Sequence, residues 1–157
     1  EYKGIEFSER FITYSKDDTL VPDMTSEIAT VLLNFFSELK KTGAEFGYRS
    51  ASEIYRFIAV LNKLEKREWN TNTALDAAIM QKLLPKIHGS RRKLEPILKS
   101  LASLCLVDKN DIEILLNSED PHLLEDSNKV KYSISFGKLR RMYINLISNG
   151  FTSYAEA

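Results

Sequence analysis

The hydrophobic positions of the chain recur mainly at the spacing of an α-helix. Over residues 26–40 they fall three or four residues apart and form one apolar stripe, at Ile28, Val31, Leu32, Phe35, Phe36 and Leu39. A stripe of this kind predicts a helix with one buried face. Lys40, Lys41 and Gly43 follow it, and basic residues before a glycine are typical of a helix C-terminus with a left-handed cap.

The same spacing predicts four more long helices, over residues 51–66, 74–84, 91–105 and 136–148, and a short one over 110–116. Pro85 is expected to end or kink its helix, because proline lacks the amide hydrogen that the helix requires. Ser90 is expected to cap the helix that begins at Arg91, and Gly150 to end the last helix.

Two segments lack the helical pattern. Residues 1–22 alternate loosely between apolar and polar positions, which predicts a short extended or β N-terminal arm. Residues 130–134 are a candidate for one short strand. The sequence therefore predicts a mainly α fold, in which a bundle of about five to six helices forms one domain over residues 23–157.

The composition fits a single globular domain with an uneven charge distribution. Of 157 residues, 43% are hydrophobic and 28% are charged, and the net charge is zero. The molecule as a whole is therefore not a general binder of polyanions. Basic residues are concentrated over 82–99 and acidic residues over 108–126, so local charge is more informative than the total.

Cysteine content and hydropathy indicate a reducing, aqueous compartment. The chain contains one cysteine, Cys105, so it cannot form an internal disulfide, and a cytoplasmic location is expected. Cys105 lies in an apolar run, which predicts a buried and unreactive thiol. No apolar run approaches the roughly 20 residues of a membrane helix, so no membrane partner is expected.

The chain has no recognisable catalytic motif. It lacks the phosphate-binding loop GxxxxGK[ST], and it lacks the HExxH and CxxC pairs of metal sites. With two histidines and one cysteine, no zinc site is expected. We therefore expect no catalytic residues, no metal and no autonomous enzyme activity in this chain.

The most unusual local feature is a cluster of cations at a predicted helix start. Arg91, Arg92 and Lys93 follow Ser90, although the first turn of a helix already carries partial positive charge and disfavours cations. Free N–H groups, a serine hydroxyl and two guanidinium groups can bind an anion such as phosphate. The alternative is that these side chains extend into water or pair with the acidic residues 108–126.

A smaller basic patch lies on the last predicted helix. It consists of Arg140 and Arg141, with Lys138 nearby. A solvated helix face accounts for these residues, and a contact with a phosphate backbone or with a partner protein is the alternative.

Several runs of the sequence match the motifs of one known family. The most specific is the run from Leu84 to Arg92, LPKIHGSRR, and weaker matches lie at 46–49, 53–57, 74–76, 139–143 and 149–154. Over roughly residues 30–157 the chain resembles the C-terminal part of McrB-like AAA+ proteins. These are the motor subunits of bacterial modification-dependent restriction systems.

The resemblance implies that this chain is the helical lid of such a motor, with a C-terminal extension. The AAA+ core, with its nucleotide loop, metal-binding acid and arginine finger, would precede it in the same chain, and a start at Glu1 fits a fragment. The parent protein would hydrolyse ATP or GTP with Mg²⁺. In such lids an arginine at a helix start contacts the γ-phosphate. By register Arg92 matches this sensor, Arg91 is its helper or an inter-subunit contact, and Ser90 adjoins both.

The resemblance also implies partners. They are neighbouring subunits of a ring, a McrC-like nuclease and, indirectly, DNA, with Lys93, Arg140 and Arg141 as candidate contacts. Two other functions are compatible with the sequence. One is a free-standing helical DNA-binding module that uses residues 82–99 with Arg140 and Arg141, and the other is an interaction domain whose basic face binds an acidic partner.

Overall fold

The fold is mainly helical, as predicted. The computed structural model describes residues 26–43, 48–64 and 70–157, together with residues 9 and 13. Its α-helices in these ranges are α1 (Ser26–Lys40), α2 (Tyr48–Leu64), α3 (Thr71–Ala78), α4 (Arg91–Leu104), α5 (Ile112–Asn117), α6 (Pro121–Glu125) and α7 (Ser133–Asn149). None of these helices is long and apolar enough to cross a membrane.

The hydrophobic spacing located the long helices well. Helices α1, α2, α4 and α7 begin within three residues of the predicted positions. The two glycines expected at helix ends adopt positive backbone angles, with φ of 84° at Gly43 and 76° at Gly150. These values confirm the left-handed ends, because glycine reaches this region without the steric cost that a side chain brings.

The helix predicted over 74–84 is shorter than expected and irregular at its end. It begins at Thr71 because the side chain of Asn70 accepts a hydrogen bond from the backbone N–H of Thr73 at 2.8 Å. A π-helical turn follows over Ile79–Leu83, and a 3₁₀ turn over Leu84–Lys86. Pro85 lies in the 3₁₀ turn, where its missing N–H is tolerated, so its predicted effect on the helix is confirmed.

The strand prediction for residues 130–134 is wrong. Val130 makes a single antiparallel bridge with Leu106, and Ser133 already begins α7. The sheet lies elsewhere, where β1 (His88–Ser90) pairs antiparallel with β2 (Phe151–Ser153). Each of these strands has only three residues, which is too short to show an alternating pattern in the sequence.

The predicted N-terminal arm lies almost wholly outside the described residues. Residues 9 and 13 are described, and both are helical. The hydroxyl of Thr13 donates to the carbonyl oxygen of Glu9 at 2.9 Å, a separation of four residues. At these two positions the chain is therefore not extended, contrary to the prediction.

The core forms where α4 packs against α1 and α7 and where α3 packs against α2 and α7. Its largest fully buried side chains include Phe35, Leu75, Leu94, Tyr132 and Phe136. Cys105 is buried as predicted, and its thiol lies 3.6 Å from the carbonyl oxygen of Leu101. Burial, together with nearby Asp76, raises the pKa of this thiol well above its ordinary value, which keeps it protonated and unreactive.

The start of α7 is capped by a side chain from another helix. Asp76 of α3 is only 4% exposed. Its carboxylate oxygens accept hydrogen bonds from the backbone N–H groups of Ile134 at 2.9 Å and Ser135 at 2.8 Å. The Ser135 hydroxyl donates to the backbone carbonyl of Asp76 at 3.0 Å. Because N–H groups in a first turn lack helical partners, Asp76 both satisfies them and fixes α7 against α3.

Replacing this buried cap should be far more costly than replacing an exposed one. Asp76→Asn places an amide donor among N–H donors, and it should lower the free energy of unfolding by about 2–3 kcal/mol. Asp120 is a matched control, because its exposed side chain accepts from the N–H of His122 at 3.0 Å. Asp120→Asn should change stability by less than about 0.5 kcal/mol, since asparagine caps as well as aspartate. Urea unfolding followed by circular dichroism measures both, and equal effects would contradict the assigned role.

Tyr132 is buried beside this cap. The residue is 1% exposed, and its ring lies edge-to-face with Phe35 at 6.4 Å between centroids. Its hydroxyl has no hydrogen-bond partner in the part of the chain that the structure describes. Burial first, and then Cys105, Glu27 and Asp76, raises the pKa of Tyr132 to about 12. The folded state therefore favours the protonated phenol.

This shift predicts a loss of stability at alkaline pH. The contribution of Tyr132 is complete below its ordinary pKa of 10.0 and is lost as pH rises toward about 12, because only the unfolded chain ionises readily there. Tyr132→Phe should be neutral or slightly stabilising at pH 7, since the buried hydroxyl is unpaired. Its advantage over the wild type should grow between pH 10 and pH 12 in thermal unfolding. A constant difference across that range would refute the prediction.

Candidate phosphate-binding site

The start of α4 is held in place by the short sheet. Strand β1 leads directly into α4, and Ser90 pairs with Phe151 across the sheet. The backbone N–H of Arg91 donates to the carbonyl oxygen of Gly150 at 2.8 Å, and the N–H of Tyr154 donates to that of Ile87 at 3.1 Å. The segment before α4 is therefore hydrogen-bonded to the segment that follows α7 at both ends of the sheet.

Gly89 allows the sharp approach to α4. Its φ is 149°, a conformation that residues with a side chain rarely adopt. A Cβ atom at this position would lie 3.4 Å from Cγ of Leu94, which is fully buried. The glycine thus meets both a backbone requirement and a packing requirement immediately before the cationic turn.

Two of the three cations in the first turn of α4 have partners. The Nε of Arg91 lies 2.9 Å from a carboxylate oxygen of Glu95, one helical turn further on. The Nζ of Lys93 donates to the carbonyl oxygen of Thr42 at 2.8 Å, just beyond the C-terminal end of α1. A cation is favourable there because the C-terminal end of a helix carries partial negative charge. These contacts compensate for much of the unfavourable charge at the start of α4.

Arg92 differs from its neighbours. Its side chain is exposed, and its guanidinium group makes no hydrogen bond or ion pair with a residue in the described part of the chain. Ser90 precedes the helix in an extended conformation, but its exposed hydroxyl makes no capping hydrogen bond. The N–H of Arg91 is already bound to Gly150, but a guanidinium group and a serine hydroxyl lie at the exposed start of a helix, and groups of this kind can bind a phosphate oxygen.

The rest of the basic segment does not form one free surface. Lys82 lies over the ring of Phe57 at 5.9 Å, and Lys99 forms an ion pair with Glu113 at 2.9 Å. The hydrogen bond to Glu113 raises the pKa of Lys99. Pairing between the basic and acidic segments thus occurs at Lys99, whereas Arg91 and Lys93 have partners outside residues 108–126.

The second basic patch is largely used within the fold. Arg140 donates through its terminal nitrogen to the carbonyl oxygen of Ser118, although its Nε is buried without a partner among the described residues. Lys138 is buried, donates to the carbonyl oxygen of Ala157 and lies 4.3 Å from the ring centroid of Tyr154. Burial, and then Arg141, lowers the pKa of Lys138. Arg141 is the exposed member of this patch.

The sequence analysis did not identify the partners of Arg91 and Lys93. The partner of Arg91 could have been identified, because a separation of four residues places Glu95 on the same face of the helix. Thr42 was not visible, since 51 residues separate it from Lys93. Among the described residues no group of three or more His, Cys, Asp or Glu side chains could hold a metal ion.

The fold and the cationic turn define a small, mainly helical domain with a candidate anion site. The chain belongs to the family described as domain of unknown function DUF8727, whose model matches residues 4–151. No curated protein and no solved structure matches the chain. The grounds for a functional proposal are therefore the site itself and the sequence resemblance.

Two glycine substitutions should have opposite effects on stability. Gly89→Ala should lower the free energy of unfolding by about 1–3 kcal/mol, because alanine is strained at a φ of 149°. Gly137 lies inside α7, and a Cβ there would meet only Nη1 of Arg141 at 3.7 Å. Gly137→Ala should raise stability by about 0.5–1 kcal/mol. Denaturant unfolding tests both, and a tolerated Gly89→Ala would show that the approach to α4 is not constrained.

Proposed function

We propose that this domain is the helical lid of an AAA+ motor of a modification-dependent restriction system. In this proposal Arg92 senses the phosphate of a nucleotide bound by an upstream core in the same chain. The observation that carries the proposal is the exposed guanidinium group of Arg92 in the first turn of α4, which lacks a partner among the described residues. A cation in this position is unfavourable unless an anion or another electronegative partner offsets its charge.

The surrounding contacts favour Arg92 over Arg91 as the sensor. The ion pair with Glu95 already uses Nε of Arg91, whereas the guanidinium group of Arg92 has no such interaction with the described residues. Arg91 then serves as a helper or as a contact between subunits, and Ser90 adds a hydroxyl donor beside the phosphate. Lys93 is held by Thr42, which makes it a link within the lid before it is a contact for a partner.

The same contacts suggest how the lid would respond to nucleotide. The start of α4 is bound to the C-terminal segment through Gly150 and to the end of α1 through Lys93. Movement of Arg92 toward a phosphate would therefore shift several elements together. Neighbouring subunits of a ring would sense the lid angle and pass it to a McrC-like nuclease acting on DNA. Arg140 and Arg141 remain candidate contacts for that partner.

In this proposal nucleotide chemistry belongs to the parent protein. The upstream core would bind ATP or GTP with Mg²⁺ in the cytoplasm, and the chain described here would neither bind the metal nor hydrolyse nucleotide alone. A guanidinium group that contacts developing phosphate charge lowers the barrier to hydrolysis. The reading frame upstream of Glu1 should therefore encode a phosphate-binding loop and an arginine finger, and a frame without them would contradict the lid assignment.

Replacing Arg92 in the full-length parent protein tests its role. Arg92→Ala should slow steady-state nucleotide hydrolysis about a hundredfold, with little change in thermal stability because its side chain is exposed. Arg92→Lys should recover only part of the rate, since lysine cannot present two parallel donors. Arg91→Ala should have a smaller effect than Arg92→Ala.

The control is Lys129→Ala, which removes a partly exposed cation that pairs weakly with Asp111 at 3.7 Å. It should leave hydrolysis unchanged. Full hydrolysis by the Arg92→Ala protein would exclude the sensor role. If the isolated domain instead bound DNA in a salt-dependent manner that required Arg92, a DNA-binding module would be the better description. Loss of partner binding alone would favour an interaction domain.

A further inference from the structure

A second candidate site lies at the opposite end of α4 from Arg92. A cavity of about 540 Å³ opens between α1, the end of α4 and the segment that precedes α7. This volume is within the range of pockets that hold small organic ligands. It belongs to a part of the domain that the lid proposal does not use.

The walls of this cavity are fixed by backbone hydrogen bonds. The N–H of Lys131 donates to the carbonyl oxygen of Cys105 at 2.8 Å, and the N–H of Val107 donates to that of Lys129 at 2.9 Å. The bridge between Leu106 and Val130 lies between these two bonds. The segment before α7 is thus attached to the end of α4, so the cavity is built into the fold.

The lining combines an apolar floor with polar groups and two cations. Val31 of α1 and Leu104 of α4 contribute apolar surface, and Asn34 and Asn72 contribute side-chain amides. Lys109 and Lys131 also line the cavity, and none of the described residues that line it has a carboxylate. An organic anion with an apolar or aromatic body matches this set of groups.

The two lysines are not neutralised by the acidic residues near them in the sequence. Asp108 accepts a hydrogen bond from the N–H of Asn110 at 2.9 Å, and Asp126 accepts one from the N–H of Asn128 at 2.9 Å. The ammonium group of neither lysine forms an ion pair or hydrogen bond with a side chain or backbone group in the described ranges. Lys131 instead lies over the ring of Tyr132 at 5.4 Å. The cations are therefore available to a ligand.

We infer that this cavity binds a small organic anion, with its charged group at Lys109 and Lys131 and its apolar body against Val31 and Leu104. Two classes of small molecule combine an anionic group with an apolar or aromatic body. They are nucleoside phosphates and aliphatic carboxylates. Attraction to the lysines supplies part of the affinity and should weaken as salt is added, because both ammonium groups are near solvent.

Titration of the full 157-residue chain by ¹H–¹⁵N NMR tests this inference. The probes are adenosine monophosphate and octanoate, with adenosine, octanol and inorganic phosphate as matched partial ligands. One of the two anions should shift the side-chain amide signals of Asn34 and Asn72 and the backbone signals of Lys109 and Lys131 in a saturable manner. The partial ligands should bind several-fold more weakly. Adenosine and octanol lack the anionic group, and inorganic phosphate lacks the apolar or aromatic body.

Substitutions separate this cavity from the proposed phosphate sensor. Lys109→Gln with Lys131→Gln should weaken binding of the anion about tenfold, whereas Arg92→Ala should leave it unchanged. Thermal unfolding should show that the double variant is folded. The inference is overturned if neither anion saturates the cavity signals. It is also overturned if the double lysine variant binds as tightly as the wild type, or if Arg92→Ala removes the shifts.

Discussion

Two amide hydrogens at the start of α7 are bound by a carboxylate that belongs to α3. Asp76 lies in the middle of the core, where a polar group without partners would cost several kcal/mol. Its contacts with Ile134 and Ser135 remove that cost and also satisfy N–H groups that the helix cannot satisfy itself. A hydrophobic contact could hold two helices together at several angles, but this pair of hydrogen bonds fixes where α7 begins.

The candidate phosphate site depends on that position. Helix α7 ends at Asn149, the carbonyl oxygen of the next residue, Gly150, accepts the first amide hydrogen of α4, and β2 then pairs with β1. The start of α7 is set by Asp76 and its end is joined to the start of α4, so one helix connects the buried cap with the turn that contains Arg92. The segment that follows α7 therefore helps to position the site, although its sequence alone does not indicate that it pairs with β1.

Local patterns and long-range contacts were predictable to very different degrees. The apolar stripes located α1, α4 and α7 because helical spacing is a property of neighbouring residues. The three-residue strands β1 and β2 were missed because they exist only through their pairing, and residues 130–134 were misread because apolar and polar residues alternate there without a strand partner beyond Val130. The role of Asp76 was equally hidden, since its partners lie 58 and 59 residues away.

The cationic turn shows how a broken local rule should be interpreted. From the sequence, Arg91, Arg92 and Lys93 all violate the preference against cations at a helix start. The structure provides Arg91 with Glu95 and Lys93 with the carbonyl of Thr42, so these two are explained by folding alone. Of these three cations, only the one that no described residue compensates still indicates a function. That residue is Arg92, and the proposed nucleotide sensing therefore depends on one side chain and not on a patch of charge.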